Sequence, residues 1–295
     1  MLGGFAAAAL CLLLTPLLAA AARRAGWFDH PDGRRKTHHG PVAPAGGTAV
    51  LLAVLAGGWF GGIYGIPGVP QVMVAAGVIY AIGLIDDLRG MAPWTRLAIE
   101  CAAAALAVGS GPWHFTPPAA AAVTAWLVLC TNAFNLLDGL DGLAASTAIL
   151  AAAGMLLMHN GASGLLAVLA GALAGFLVFN LPPARVFLGD SGSLTVGLLL
   201  GAATLWSSRG AWSSGETLAR WLPGACTLAL PIADTGRVAL RRWRGGRRIF
   251  QGDREHIHHR MRDLTGSSWK VLLLLSVFNA AVAAAAATVY RHIFR

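Results

Sequence analysis

The chain has 295 residues, 56% of them hydrophobic and only 12% charged, with a formal net charge of +9. That composition excludes an ordinary soluble domain and predicts an all-α polytopic membrane protein. The basic excess comes without any aromatic-interleaved nucleic-acid motif, so it points to anionic lipid headgroups and an anionic substrate, with no nucleic acid.

Ten apolar spans are predicted, at about 2–22, 46–64, 69–85, 96–110, 118–135, 143–158, 163–181, 187–206, 217–236 and 270–290. The fourth and sixth are short against the roughly 20 residues that cross a bilayer. The first resembles a secretory signal, but no basic residue precedes it and Arg23-Arg24 follow it, so it reads as a retained helix. Placing the N-terminus outside puts every Lys and Arg inside except Arg209, Arg220, Arg291 and Arg295. That asymmetry fits the positive-inside rule and a multi-pass membrane protein with its polar loops in the cytoplasm. Cys11, Cys101, Cys130 and Cys226 fall within spans, far apart, and read as small buried apolar residues. No linker or repeat divides the chain, so residues 1–295 form one domain. The Ala-rich runs suit close helix packing through small residues.

Polar motifs interrupt the apolar chain on the inner side. The first inner loop carries Lys36-Thr37-His38-His39 before a Pro- and Gly-rich stretch. Lys36 and His38 are candidates to seat a lipid phosphate, and a snorkelling basic collar is the alternative. Asp86-Asp87 end the third span. Adjacent carboxylates repel, which suits a cation site or a general base, or else two solvated residues beside Arg89. Arg96 and Glu100, four apart, read as a structural pair.

Asn132, Asn135 and Asp138 recur every three residues and share a face if the helix continues. Gly139, Asp141 and Gly142 follow, and the glycines let the chain break and approach a ligand. Interhelical hydrogen bonding is the alternative use of the two amides. Gly189-Asp190-Ser191-Gly192-Ser193 opens the eighth span. There a serine can cap the helix and backbone N–H groups can face an anion, with Asp190 beside it for a metal.

The last inner loop, about 237–269, carries the basic run Arg241–Arg248 and then His256-Ile257-His258-His259. The basic run reads as lipid-surface contact. Three histidines could hold zinc, but no cysteine accompanies them and the acids elsewhere are hard, magnesium-type ligands, so phosphate contact is the reading adopted. On a helix His256 and His259 would share a face and His258 would point elsewhere. A transporter would place such groups near the midplane, often in inverted repeats, and neither is seen here.

Taken together, in this order, the motifs resemble the polyprenyl-phosphate N-acetylhexosamine-1-phosphate transferase superfamily, glycosyltransferase family 4, from about Phe28 to Met261. The His256-x-His258-His259 form resembles the branch that uses UDP-N-acetylglucosamine. The peptidoglycan branch has three consecutive histidines, which Ile257 interrupts here. The resemblance implies an enzyme in which a phosphate oxygen of undecaprenyl phosphate attacks the β-phosphorus of a UDP-sugar and releases UMP. It implies a Mg2+ requirement, with Mn2+ as a substitute. Another UDP-N-acetylhexosamine or UDP-MurNAc-pentapeptide is the alternative donor. By motif match, Asp190 would hold the metal with Asn135. Asp86 and Asp87 would position or deprotonate the lipid phosphate. Asn132, Asp138 and Asp141 would shape the nucleotide site, and His256, His258 and His259 would contact phosphate. Monomer and homodimer both stay open.

Overall fold

A computed structural model describes residues 1–28, 42–158, 161–207, 215–246 and 256–294. Lys36 and His38 lie outside the described residues. The described residues form twelve α-helices: α1 (Leu2–Arg24), α2 (Gly46–Phe60), α3 (Val69–Arg89), α4 (Pro93–Ser110), α5 (Pro117–Leu137), α6 (Leu143–Leu157), α7 (Ser163–Asn180), α8 (Gly189–Ala203), α9 (Gly215–Cys226), α10 (Ala229–Arg244), α11 (Ile257–Thr265) and α12 (Ser268–Phe294). Two 3-10 turns, Ile63–Gly65 and Thr204–Ser207, and one isolated backbone bridge, Ala43 to Val186, accompany them. Helices α1, α3, α5, α7 and α12 are long and apolar enough to cross a membrane, and α2 and α6 are shorter apolar helices. The chain is an all-helical polytopic membrane protein.

Every predicted span meets a helix, but the ninth is corrected. Instead of one segment over 217–236 there are two helices, α9 and α10, separated at Thr227–Leu228. Thr227 N–H bonds Gly224 O and Leu228 N–H bonds Ala225 O, which tightens the last turn of α9. Pro231 follows in the first turn of α10, where its missing N–H is tolerated but where it cannot continue the preceding helix. A further helix, α11, forms within the long polar loop.

Helix α8 is the centre of the bundle. Every residue from Ser191 to Ala203 is buried, and α2, α3, α5, α6 and α7 pack around it. Glycines set the approach. A Cβ at Gly83 of α3 would lie 2.5 Å from Ser191 Cα, and one at Gly197 would strike Cys130 O of α5. Small residues let the backbones close, and close approach is what associates helices where lipid supplies no hydrophobic drive. A second, smaller apolar cluster of Leu137, Leu140, Leu143, Leu230, Val271, Leu272 and Leu275 joins α5, α6, α10 and α12, and carries Ile257 and Met261 of α11 on it.

Candidate active site

The polar residues gather where α3 and α5 end and α8 begins. Asp87, in the last turn of α3, accepts the backbone N–H of Asp190 at 2.8 Å on one oxygen and that of Ser191 at 3.0 Å on the other. It caps α8 from a neighbouring helix, satisfying orphan donors at the positive end of the helix dipole. The anion at the glycine-rich start of α8 is therefore the protein's own, and no serine side chain caps that end. Gly189 takes φ +74° there, with Asp87 Oδ2 2.8 Å from where a Cβ would sit.

Asp86 faces the other way. Its Oδ1 accepts Met91 N–H at 2.6 Å and its Oδ2 accepts Arg96 Nη1 at 2.7 Å. The same Nη1 donates to Asp190 Oδ2 at 3.0 Å, and Arg96 Nε lies 3.4 Å from Glu100 Oε1. The expected Arg96–Glu100 pair is present, but it belongs to a larger network tying α4 to α3 and α8. The reach of Arg96 to Asp190, 94 residues away, has no signature in local spacing.

Asn135 Nδ2 donates to Asp190 Oδ1 at 2.8 Å and to Ser193 Oγ at 3.1 Å. Asn132 points elsewhere. Its amide donates to the Glu100 carboxylate and to Val128 O, so it ties α5 to α4, the interhelical alternative. Helix α5 stops at Leu137, and Asp138 caps it. Desolvation, then the nearby carboxylates of Asp190, Asp87 and Asp141, push the Asp138 carboxyl well above the usual carboxylate range. Asp141 Oδ2 accepts Ala184 N–H at 3.0 Å and so anchors the segment between α7 and α8. Asn180 assists, accepting from Gly142 N–H and donating to Val186 O, both at 3.0 Å.

The histidines adjoin this cluster through Gly139. His256 is not helical but the N-cap of α11, with φ −62° and ψ 149°. This corrects the expected helical face shared by His256 and His259, because one residue of the pair sits before the helix. His256 Nδ1 instead lies 2.8 Å from Asp234 Oδ2. Asp234 also accepts Ile257 N–H at 2.9 Å and Arg237 Nη2 at 2.8 Å, so this buried carboxylate fastens α11 to α10. Asp234 was missed because it fell inside a predicted span. An acid within an apolar stretch is itself the signal that finds it.

His258 is the histidine nearest the cluster. Its Nε2 lies 2.5 Å from where a Cβ on Gly139 would sit. Its ring stacks on His256 at 5.8 Å and meets His259 at 4.3 Å between centroids. Burial, then His259 and His256, push its pKa down to about 3. It is a neutral imidazole, and neither ring nitrogen has a hydrogen-bond partner among the described residues. A buried polar group without a partner is costly unless a ligand supplies one.

The donor set fits a hard divalent cation in one particular way. Among the described residues no three acid, histidine or cysteine side chains converge to hold a metal. Mg2+ is commonly held by one or two protein oxygens together with substrate phosphates. Asp190, whose side chain keeps 37% exposure against 12% for Asp86, is the open carboxylate. Asn135 gives its amide nitrogen to Asp190 and Ser193, which leaves its carbonyl oxygen as a second donor.

Residues 69–208, which hold Asp86 through Asp190, match the model of Glycosyl transferase family 4. The chain is 33% identical over 298 residues to the decaprenyl-phosphate N-acetylglucosaminephosphotransferase of Mycobacterium leprae, covering 86% of this chain and 75% of that protein. It belongs to glycosyl transferase family 4. The protein of the same name from Mycobacterium tuberculosis is 32% identical over 331 residues, 97% of this chain and 81% of its own. The probable undecaprenyl-phosphate N-acetylglucosaminyl 1-phosphate transferase of Bacillus subtilis is 32% identical over 257 residues, covering 81% of this chain and 70% of that protein. Within this family 4 enzyme the matched region supplies the carboxylates, while Asp234 and the histidines come from beyond it.

Proposed function

We propose that this family 4 enzyme transfers N-acetylglucosamine-1-phosphate from UDP-N-acetylglucosamine to undecaprenyl phosphate and releases UMP. The observation that carries the reading is the meeting of Asp86, Asp87, Asp190 and Asn135 at one end of an apolar bundle, with a neutral histidine bordering them at Gly139. The relatives, named for N-acetylglucosamine-1-phosphate transfer to decaprenyl or undecaprenyl phosphate, support the sugar and the lipid class. A phosphate oxygen of the lipid attacks the β-phosphorus, the bond to UMP breaks, and the product is a lipid-linked diphosphate sugar. Such a transfer needs positioning and charge neutralisation more than covalent help from the protein.

Asp190 and the Asn135 carbonyl would hold Mg2+, or Mn2+ in its place, and the bound cation neutralises charge on the transferring diphosphate. Asp87 keeps Asp190 in place by fixing the first turn of α8. Arg96 and Asp86 set the charge beside it, and His258 offers an unpaired nitrogen to the donor. A phosphate monoester is already largely ionised at neutral pH, so these carboxylates act mainly through position and charge.

The site faces the cytoplasm of the inner membrane in this reading, through ten spans with the N-terminus outside. The basic asymmetry along the chain supports that orientation. A cysteine replacing Ser208 labels with an impermeant thiol reagent on intact cells, and one replacing Ser267 does not. The reverse pattern would overturn the topology. The activity is tested by incubating purified protein with undecaprenyl phosphate, Mg2+ and a panel of UDP-sugars and measuring UMP. UDP-N-acetylglucosamine should be the best donor, and turnover of UDP-MurNAc-pentapeptide at equal rate would refute the assignment.

A further inference from the structure

Among the described residues, Arg96 is the cation bonded to Asp190. Its Nη1 is shared between Asp86 at 2.7 Å and Asp190 at 3.0 Å, while its Nε faces Glu100 at 3.4 Å. Asp190 Oδ1 is engaged by Asn135, so the oxygen that Arg96 occupies, Oδ2, is the one left for a divalent cation. A guanidinium and a divalent cation on one carboxylate oxygen repel, and so they compete for it.

We propose that Arg96 is a built-in counter-cation that a divalent metal must displace from Asp190. Arg96 is held on two further carboxylates and stays beside the site once displaced. The Nη1 hydrogen withdrawn from Asp190 is then a donor for the anionic diphosphate, while Nη1 stays on Asp86, since guanidinium matches phosphate oxygens well. Glu100 sets the balance. By drawing on Nε it weakens the hold of Arg96 on Asp190, which makes it a positioning residue that acts through Arg96. The inference rests on the reading that Asp190 holds the cation.

Binding of Mn2+ to the purified full chain in detergent, read by loss of the free-ion EPR signal without nucleotide or lipid, tests this. Asp190→Asn should abolish high-affinity binding. Arg96→Gln should tighten it by ~10-fold, within the usual range of coupling between two sites. Arg89→Gln, which removes an exposed charge from the end of α3, should change it by less than ~2-fold. Glu100→Gln should weaken binding by ~3-fold in the wild-type background and leave it unchanged in the Arg96→Gln background, because its effect runs through Arg96. Unchanged or weaker binding in Arg96→Gln, or a Glu100→Gln effect that persists without Arg96, would overturn the proposal while leaving the cation reading intact. If Arg96→Gln does not fold, the cycle is run with Arg96→Lys. That variant keeps the charge but lacks the Nε that faces Glu100, so Glu100→Gln should again have no effect, and a persisting ~3-fold loss overturns the proposal. Undiminished Mn2+ binding in Asp190→Asn defeats both readings.

Discussion

The carboxylate cluster and the histidine segment meet at Gly139, yet their polar atoms are treated in opposite ways. Around Asp86, Asp87 and Asp190 the carboxylates accept from backbone N–H groups, an amide and a guanidinium. In the histidine segment His256 is tied to Asp234, while His258 is buried with neither ring nitrogen partnered among the described residues. The first region is preorganised by its own charges and needs no ligand to stay assembled. The second is fastened through Asp234 and by apolar contacts of Ile257 and Met261, and it presents the unpaired nitrogens of His258. The difference teaches how each end would exchange partners on the proposed reading: a cation would enter the first by displacement, and a ligand would enter the second by satisfying what is unsatisfied.

Breaking the anchor should give the largest effect. Asp234→Ala removes the acceptor of Ile257 N–H, one partner of Arg237 and the partner of His256 Nδ1. Each buried polar group left unpaired costs about 1–3 kcal/mol, so a drop in melting temperature and loss of UMP release are both expected. Retention of full stability would show that α11 is held by its apolar contacts alone. Next comes Asp190→Asn, which should lower turnover at least ~100-fold with little change in melting temperature, because the variant keeps its shape while losing the open charge. Wild-type turnover of that variant in chelator would remove Asp190 from the chemistry.

A smaller effect depends on pH. His258 has its folded pKa lowered to about 3, below the ~6.5 of an unfolded histidine. The unfolded chain therefore binds the extra proton first, and stability is lost as pH falls below about 6.5. Between pH 6.5 and 5 the loss from this residue is about 2 kcal/mol. His258→Gln should flatten the acid side of the melting-temperature profile, and an unaltered slope would show that His258 protonates without penalty. The smallest effect is at the cap. Asp87→Asn should cost about 1 kcal/mol through the first turn of α8, measured as a shift of a few degrees in melting temperature. A larger loss would mean that Asp87 holds more than the helix end.

Much of the fold was legible because lipid demands long apolar helices, and those announce themselves. The ends of α3, α5 and α8 fell near the expected positions for that reason, and their acids were read as a site because charge in an apolar chain is costly. The break between α9 and α10 was hidden by apolar residues on both sides, although Gly224 and Pro231 marked it. Asp234 was hidden by the same misreading. Arg96 was read only with Glu100 because sequence spacing reports neighbours along a helix and says nothing of helices that meet across it. Asn132 shares a face with Asn135 in sequence, but a lateral offset of one turn is enough to turn it from Asp190 to Glu100. The phase of His256 could not be read either, because whether a residue is the cap or the first helical position depends on what receives its side chain. Here the receiver is Asp234.

Helix α8, met by Gly83 of α3 and Gly47 of α2 and carrying its own glycines against α5, is isolated mechanically as well as chemically. Backbone lies on backbone there, so no flexible side chain can absorb a displacement, and packed interiors transmit strain rather than cushion it. Tilting forced by a thicker or thinner bilayer falls first on the peripheral helices. The catalytic end of α8 moves only if its neighbours move with it, so the site is carried as a rigid insert within a deformable wall.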